Sequence, residues 1–276
     1  MQAAGGTAKI IQVSIDHHLH NGWSMDYQGL PPVDVMLACE PDTAVPALLA
    51  ALGPAKPRAV AAERPAAEFK SMGDKLTVDH LAAALRRAVG ARAVSLAHVS
   101  LSWNGASWPF RHPLDYLGSD GGGGVGCGPG ISVGAALALK GSGRLAVAVC
   151  GDGDFLMGVT AIWTAAHYRI PLLIVVANNR SFFNDELHQE RVARARNRPV
   201  ENRWIGQRIS EPDIDIAAMA RAQGAQGFGP VEKTEDLAKV LAKAIVAVED
   251  GAVAVVDARV EPGYAPAMTA VMRKGD

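Results

Sequence analysis

Apolar residues occur in short blocks that glycine, proline and polar residues separate. Blocks rich in Val, Ile, Leu and Ala are typical of buried strands, and they span residues 94–99, 144–150, 172–177 and 252–258. Longer segments with one apolar face are typical of helices, and they span 77–89, 155–169, 182–195, 214–223 and 237–249. Because strands alternate with helices, the pattern predicts an α/β fold, a three-layer αβα sandwich with a mainly parallel sheet.

The N-terminal part of the chain has a separate, smaller pattern. It predicts strands over 9–15 and 33–38 and a short helix over 43–52. The stretch that follows, 53–75, is rich in Ala, Pro and charged residues, which is typical of a linker. We therefore divide the chain into a small N-terminal domain (1–56), a linker (57–76) and a main domain (77–276).

Composition excludes several classes of function. The 276-residue chain is 49% hydrophobic with a net charge of −1, which does not favour binding to nucleic acid or an anionic membrane. No apolar run reaches the length of a membrane span, and the N-terminus does not have the pattern of a signal peptide, so we expect a cytoplasmic protein. The cysteines, Cys39, Cys127 and Cys150, form no CxxC pair that would indicate a zinc or iron–sulfur site.

Two polar clusters follow neighbouring predicted strands. Gly151-Asp152-Gly153 follows the strand over 144–150, and Asn178-Asn179 follows the strand over 172–177. A helix between them makes a βαβ unit, which places both clusters at the sheet edge where open α/β sheets bind ligands. Carboxylate and amide oxygens suit Mg²⁺ or Ca²⁺ rather than zinc. The glycines let backbone N–H groups approach a phosphate at the start of the next helix. We interpret the pair as a metal–diphosphate anchor; the alternative is a tight turn and a polar loop.

This pair of clusters resembles the motif of thiamine diphosphate (ThDP) enzymes. The wider stretch 118–262 is similar to the diphosphate-binding domain of the acetolactate synthase-like group. The resemblance implies a ThDP- and Mg²⁺-dependent lyase or carboligase that acts on a 2-oxoacid or related donor. It implies that the side chains of Asp152 and Asn179 and the main-chain oxygen of Ser181 bind the metal. The residues it places at the cofactor are Gly151, Asp152, Gly153, Asp154, Phe155, Val125, Gly126, Cys127, Asn179, Ser181, Phe182 and Phe183.

Two positions depart from the family pattern. A bulky apolar residue bends the cofactor into a V shape in this family, and Val125 falls at that position although the usual residue is Met, Leu or Ile. Many relatives have a small residue where this chain has Asp154. Because a carboxylate that faces a diphosphate is repelled by it, we expect Asp154 to cap a helix that begins at Phe155 and to direct only its N–H at the phosphate.

The N-terminal domain, 1–56, resembles the end of the family's central domain. In the family a pyrimidine-binding domain supplies a glutamate that activates the aminopyrimidine ring, and no glutamate of this chain matches that motif. We therefore expect a separately encoded pyrimidine-binding subunit in a heterotetramer, and the catalytic residue of this chain is unknown. His188 is a candidate for proton transfer because an unperturbed imidazole titrates near neutral pH; the alternative is a polar helix face.

Other interpretations compete with this one. The chain also resembles the ThDP subunit of a 2-oxoacid:ferredoxin oxidoreductase, although such subunits bind an iron–sulfur cluster through four cysteines. A ThDP-binding subunit without catalytic activity is a third possibility. Gly121, Gly123 and Gly126 match a dinucleotide-binding fingerprint, but no predicted strand precedes them. His17, His18 and His20 suggest a metal site, for which a solvated turn is the alternative.

Overall fold

The computed structural model describes residues 9–15, 33–54, 75–118 and 124–263. The chain divides into two compact units, Met1–Glu63 and Arg64–Asp276, and each is described by itself. Most of the predicted linker lies outside the described residues. So do the three histidines at positions 17, 18 and 20 and the glycines at 121–123.

The first unit contains two short strands and one helix. Strands β1 (Ile11–Val13) and β2 (Val35–Leu37) pair in parallel, with Ile11 opposite Val35. Helix α1 spans Pro41–Leu52 and begins two residues before the predicted start. Proline suits the first turn of a helix because the N–H that it lacks would have no intrahelical acceptor there. None of the residues of α1 is buried.

The second unit contains a five-stranded sheet flanked by helices. Its strands are β3 (Val94–His98), β4 (Leu145–Gly151), β5 (Leu172–Asn178), β6 (Gln226–Val231) and β7 (Val253–Arg259). Its helices are α2 (Val78–Val89), α3 (Gly128–Ala138), α4 (Asp152–Gly158), α5 (Thr160–His167), α6 (Phe183–Ala195), α7 (Ile216–Ala222) and α8 (Thr234–Glu249). All neighbouring strands are parallel, in the order β3-β4-β5-β7-β6. The predicted parallel α/β architecture is confirmed.

Both faces of the sheet are covered, which explains why its central strands read as continuous apolar runs. Alternate residues of β4 and β5, such as Val147 and Val175, pack with α2 and α8 in one apolar cluster. The residues between them, such as Ala148 and Ile174, pack with α3, α5 and α7 in a second cluster. The sheet is therefore the middle layer of three.

Helix α2 has a capping residue at each end. The side chain of Thr77 accepts a hydrogen bond from the backbone N–H of His80, and Gly90 follows the last residue with a positive φ of 59°. The Thr77 contact satisfies one of the N–H groups that the start of a helix leaves unpaired, and glycine suits the positive φ at the other end.

Three elements of the second unit differ from the prediction, and one of them is α3 (Gly128–Ala138), where no helix was predicted. The helix predicted over 155–169 is two helices, α4 and α5, interrupted at Val159, and it begins at Asp152. Strand β6 was not predicted, because Gly227, Gly229 and Pro230 interrupt its apolar pattern. It lies at the edge of the sheet, where proline is tolerated since one side of the strand has no ladder to complete. Among the described residues, no helix is both long and apolar enough to cross a membrane.

Candidate functional site

The two polar clusters meet at the carboxyl edge of the sheet. Gly151 ends β4 and Asn178 ends β5, which is the neighbouring strand. A cavity of about 450 Å³ opens at this edge. Its lining comprises His98, Val99, Ser100, Leu101, Ser102, Gly124, Val125, Gly151, Asp152, Gly153, Asp154, Ala177, Asn179, Ser181, Phe182, Phe183, Asn184, Asp185 and Gly263.

The proposed metal ligands converge on one backbone group. The N–H of Ser181 lies 3.1 Å from Oδ2 of Asp152 and 2.9 Å from Oδ1 of Asn179, and it donates to both. The carboxylate and the amide therefore lie side by side, although 26 positions separate the two residues in the sequence. Hard oxygen donors in this arrangement suit a magnesium ion that completes its coordination with phosphate and water.

Asp152 is buried, with 2% of its surface exposed. Burial raises the pKa of this carboxyl to about 6, against hydrogen bonds from backbone N–H groups that favour the ionised form. Within the part of the chain that the structure describes, no basic side chain forms an ion pair with it. A desolvated carboxylate without a cationic partner is the chemistry that a divalent cation would satisfy.

Two buried carboxylates support the loop that contains Asn179. Oδ1 of Asp257 accepts a hydrogen bond from Nδ2 of Asn178 at 2.9 Å. Glu186 accepts one from the hydroxyl of Ser181 and pairs with Arg208 at 2.7 Å. The sequence did not identify these supports, because the local pattern shows neither that Asp257 and Arg208 lie near this loop nor which side chain of α6 turns towards Ser181.

Glycine is required at position 153, in the turn after β4. A Cβ on Gly153 would overlap the ring of Phe182, which also lines the cavity. The aromatic ring therefore packs directly on the backbone of the Gly151-Asp152-Gly153 turn. A side chain at position 153 would therefore require this ring to move.

The role predicted for Asp154 as a helix cap is wrong. Helix α4 already begins at Asp152, so Asp154 lies inside its first turn. Its Oδ1 accepts hydrogen bonds from the backbone N–H groups of Gly126, at 2.7 Å, and Gly128, at 3.1 Å. Its Oδ2 lies 3.1 Å from Nε2 of His98. Burial opposes ionisation of Asp154, but the contacts with His98 and the two glycines outweigh it and lower the pKa of the carboxyl.

Cys150 lies beside this pair. Its Sγ, a ring nitrogen of His98 and a carboxylate oxygen of Asp154 are all within 4.8 Å of one another. Metal binding requires a thiolate. Burial raises the pKa of the Cys150 thiol well above its usual value, so this thiol is protonated in the metal-free chain.

The other predicted cofactor residues divide into two groups. Val125, Phe182 and Phe183 line the cavity, as do Gly151-Asp152-Gly153 and Asn179. Gly126 and Cys127 are not part of the lining.

Phe155 and His188 do not lie where the sequence analysis placed them. The side chain of Phe155 is fully buried in the apolar core, so it contributes no surface to the cavity. His188 is exposed on α6 outside the cavity, which does not support a role in proton transfer.

The sequence analysis missed one wall of the cavity. His98 ends β3, and Val99, Ser100, Leu101 and Ser102 form the loop that follows. Because β3 is the neighbour of β4, its carboxyl end reaches the same edge as Asp152. The signal available in the sequence was a loop with two serines, Ser100 and Ser102, directly after a predicted strand.

Comparison with known proteins agrees with this site. Residues 100–258 match the family model described as "Thiamine pyrophosphate enzyme, C-terminal TPP binding domain". Thiamine pyrophosphate is another name for ThDP. The match covers more than half of the chain, and the chain belongs to this family.

Individual relatives share the cofactor or the fold. YdaP of Bacillus subtilis (strain 168), named as a thiamine pyrophosphate-containing protein, is 33% identical over 102 residues, which is 37% of this chain and 16% of YdaP. The ThDP-dependent 4-hydroxybenzoylformate decarboxylase of Rhodococcus jostii RHA1 superposes with a TM-score of 0.69 at 23% identity, over 94% of this chain and 45% of that one. Benzoylformate decarboxylase of Polynucleobacter necessarius gives 0.58 at 22% identity, over 73% and 36%. This chain spans less than half the length of each.

Proposed function

We propose that this chain is the diphosphate-binding half of a ThDP- and Mg²⁺-dependent enzyme that cleaves or forms carbon–carbon bonds of 2-oxoacids, in the manner of acetolactate synthase-like enzymes. One observation carries the proposal. The side-chain oxygens of Asp152 and Asn179 converge on the N–H of Ser181 at the wall of a cavity of about 450 Å³. A cavity of this size accommodates a small cofactor.

The residues present fit both the metal and the diphosphate. Asp152, Asn179 and the main-chain oxygen of Ser181 would hold Mg²⁺, which prefers a few protein oxygens and completes its octahedron with phosphate and water. The backbone of Gly151-Asp152-Gly153 would contact the diphosphate, because glycine brings the N–H groups close. The burial of Asp152 supports this assignment, since a cation would stabilise its ionised form.

When bound, the cofactor supplies an electron sink for bond cleavage beside a carbonyl group. The residues of this chain hold the cofactor and limit the access of water. Val99, Leu101 and Val125 give the cavity apolar surface on one side, and Phe182 and Phe183 do so on another. Water is a competing proton donor during such chemistry, so an apolar wall favours productive reaction.

A group outside the described residues is needed to complete this site. The described lining of the cavity includes three aspartates, Asp152, Asp154 and Asp185, and no glutamate. We assign the activating glutamate of the family to a pyrimidine-binding domain on a separate subunit, with a heterotetramer as the active form. A general acid or base must lie within hydrogen-bond reach of the atom it serves, so that subunit would dock over the cavity.

The names of the structural neighbours support a 2-oxoacid donor. Both decarboxylases are named for benzoylformate or its 4-hydroxy derivative, and these compounds are 2-oxoacids. We therefore place decarboxylation of a 2-oxoacid first among the reactions to be tested. The alternative of a ferredoxin-linked subunit has no support from the cysteines, since Cys150 is fully buried in the apolar core.

Two measurements test the proposal. First, ThDP binding to the purified chain is measured by calorimetry with and without Mg²⁺; we expect binding only with Mg²⁺, and no binding under either condition contradicts the site assignment. Second, decarboxylation of benzoylformate and pyruvate is measured with the chain alone and with a separately produced pyrimidine-binding subunit from the same organism. We expect turnover only with that subunit. Robust turnover by the chain alone contradicts the split arrangement, and ThDP binding without turnover in the complex favours a non-catalytic role.

A further inference from the structure

One carboxylate connects three segments around the cavity. Asp154 lies in the first turn of α4, Gly126 and Gly128 lie at the start of α3, and His98 ends β3. The two glycine N–H groups donate to one oxygen of Asp154, and the imidazole of His98 lies beside the other. We name this set of contacts, formed by Asp154, Gly126, Gly128 and His98, the Asp154 clamp.

We propose that Asp154 is a positioning residue, which fixes the glycine-rich segment 124–128 and thereby holds Val125 at the wall of the cofactor cavity. The part of this inference that concerns the cofactor rests on the proposed function. The part that concerns the segment rests on the contacts alone.

The geometry of Gly126 links the clamp directly to Val125. The N–H that donates to Asp154 belongs to the peptide bond between Val125 and Gly126. Because that peptide group is planar, the hydrogen bond also fixes the carbonyl group of Val125. Gly126 has a φ of 102°, a left-handed conformation that residues with a Cβ rarely adopt. Val125 is 43% exposed and lines the cavity.

The two N–H groups form an anion-binding concavity that an internal carboxylate fills. Backbone N–H groups two residues apart, such as those of Gly126 and Gly128, commonly converge on an anion. Here both converge on Oδ1 of Asp154 rather than on a diffusible ligand. Hydrogen bonds to a charged acceptor are stronger than those between neutral groups, so the segment has a well-defined position without the cofactor.

Gly128 shows how closely the segment approaches Asp154. A Cβ at Gly128 would overlap the carboxylate of Asp154 and would lie 2.9 Å from Nε2 of His98. Gly130, two residues along the same helix, has no atom within 4 Å of such a Cβ. The pair offers a matched experiment: Gly128→Ala should displace the clamp, whereas Gly130→Ala adds the same methyl group in open space.

The test uses hydrogen–deuterium exchange of the whole chain, read by peptide mass spectrometry, and calorimetric titration with ThDP and Mg²⁺. In Asp154→Ala and in Gly128→Ala we expect amide exchange in segment 124–128 to accelerate about tenfold or more, because a protecting hydrogen bond is lost. Exchange in β4 and β5 should not change. The Kd for ThDP should rise about tenfold in both variants, and Gly130→Ala should match the wild type in both measurements.

Two further variants separate positioning from general destabilisation. Asp154→Asn keeps an oxygen that accepts from both glycines, so it should retain slow exchange in 124–128; it also serves if Asp154→Ala does not fold. In the double variant Asp154→Ala/Gly128→Ala the second methyl group no longer meets a carboxylate. Its effect on the Kd should therefore be smaller than in the wild-type background, since residues in contact are not additive.

The outcomes distinguish the clamp from the proposed function. Unchanged exchange in segment 124–128 of Asp154→Ala and Gly128→Ala overturns the clamp. Faster exchange with an unchanged Kd for ThDP overturns the positioning of the cofactor wall. If the wild type binds no ThDP, the proposed function fails, while the exchange measurement still decides whether Asp154 holds the segment.

Discussion

Asp152 and Asn179 accept hydrogen bonds from the same backbone N–H, that of Ser181. One residue follows β4 and the other follows β5, so the shared donor ties two strand ends together. The oxygens of the carboxylate and the amide are thereby close together before any cation binds. This preorganisation favours metal binding, because it lowers the entropic cost of ordering the two side chains around the ion.

Asp152→Asn should abolish the binding of ThDP that depends on Mg²⁺ and leave the fold intact. The amide is nearly isosteric with the carboxylate but has no charge to offer a divalent ion, which binds hard anionic oxygens most strongly. Equilibrium dialysis with and without Mg²⁺ measures the effect, and circular dichroism checks the fold. Asp236→Asn on α8 is the matched control, since that side chain is exposed. Wild-type uptake in Asp152→Asn would show that the metal binds elsewhere.

The stability of the metal-free chain should depend on pH through Asp152. The folded pKa of Asp152, about 6, is above its ordinary value of 3.8, so the native state binds the proton more readily than the unfolded state does. This contribution to stability is present below about pH 4 and is lost as the pH rises to about 6, a change of roughly 3 kcal/mol.

Urea unfolding of the metal-free chain from pH 4 to pH 7 measures this dependence. The free energy of unfolding of the wild type should fall relative to that of Asp152→Asn, which does not titrate at this position. Mg²⁺ with ThDP should restore the wild type at pH 7, because a bound cation favours the ionised carboxylate. A constant difference between the two proteins across this range would contradict the assignment.

Phe155→Ala should destabilise the fold by about 3–5 kcal/mol, because it removes a fully buried ring from the apolar core. Met157→Ala, on the same helix, is the control, since the Met157 side chain is 64% exposed. Chemical denaturation of the two variants compares their free energies of unfolding. A Phe155→Ala protein of wild-type stability with weakened ThDP binding would instead restore the cofactor role that the sequence suggested.

Gly153→Ala should lower stability by about 1–3 kcal/mol, because the new Cβ overlaps the ring of Phe182. Gly151→Ala, whose Cβ would meet no atom within 4 Å, should change stability little. Thermal unfolding gives both values. The further variant Gly153→Ala/Phe182→Leu should recover part of the loss; no recovery would mean that the ring is not the obstacle.

Glu186→Gln should cost about 1–3 kcal/mol, because it removes the charge from a buried group that pairs with Arg208 and accepts from Ser181. Arg208 is about half exposed, so water stabilises its guanidinium in the variant. Glu201→Gln, at an exposed position, is the control for thermal unfolding. Equal melting temperatures for the two variants would show that Glu186 does not support the Ser181 loop.

Local patterns were sufficient for most of the second unit. Continuous apolar runs predicted four of its five strands, because the side chains on both faces of a covered strand are apolar. The alternation with helices indicated the parallel sheet, and that sheet brings the ends of β4 and β5 together. Asp152 and Asn179 were therefore predictable as neighbours from their positions after two strands.

Contacts between distant segments could be seen only in the tertiary structure. The sequence did not show that β3 supplies His98 to the cavity, or that Asp257 and Glu186 support the loop after β5. Strand β6 was missed because the partner strand, rather than its own side chains, stabilises an edge strand that contains Gly229 and Pro230.

Asp154 shows both what the sequence predicts and what only the structure reveals. The sequence shows that Asp154 directly follows Gly151-Asp152-Gly153. It also indicates that a second carboxylate facing a diphosphate would be repelled by it. In the structure this carboxylate accepts hydrogen bonds from the N–H groups of Gly126 and Gly128, which precede Asp154 by 28 and 26 positions. The sequence by itself determined the alternation of elements and the edge where the chemistry lies, because these follow from local periodicity. The tertiary structure decided the partner of each charge, because hydrogen bonds depend on distances in space that local periodicity does not encode.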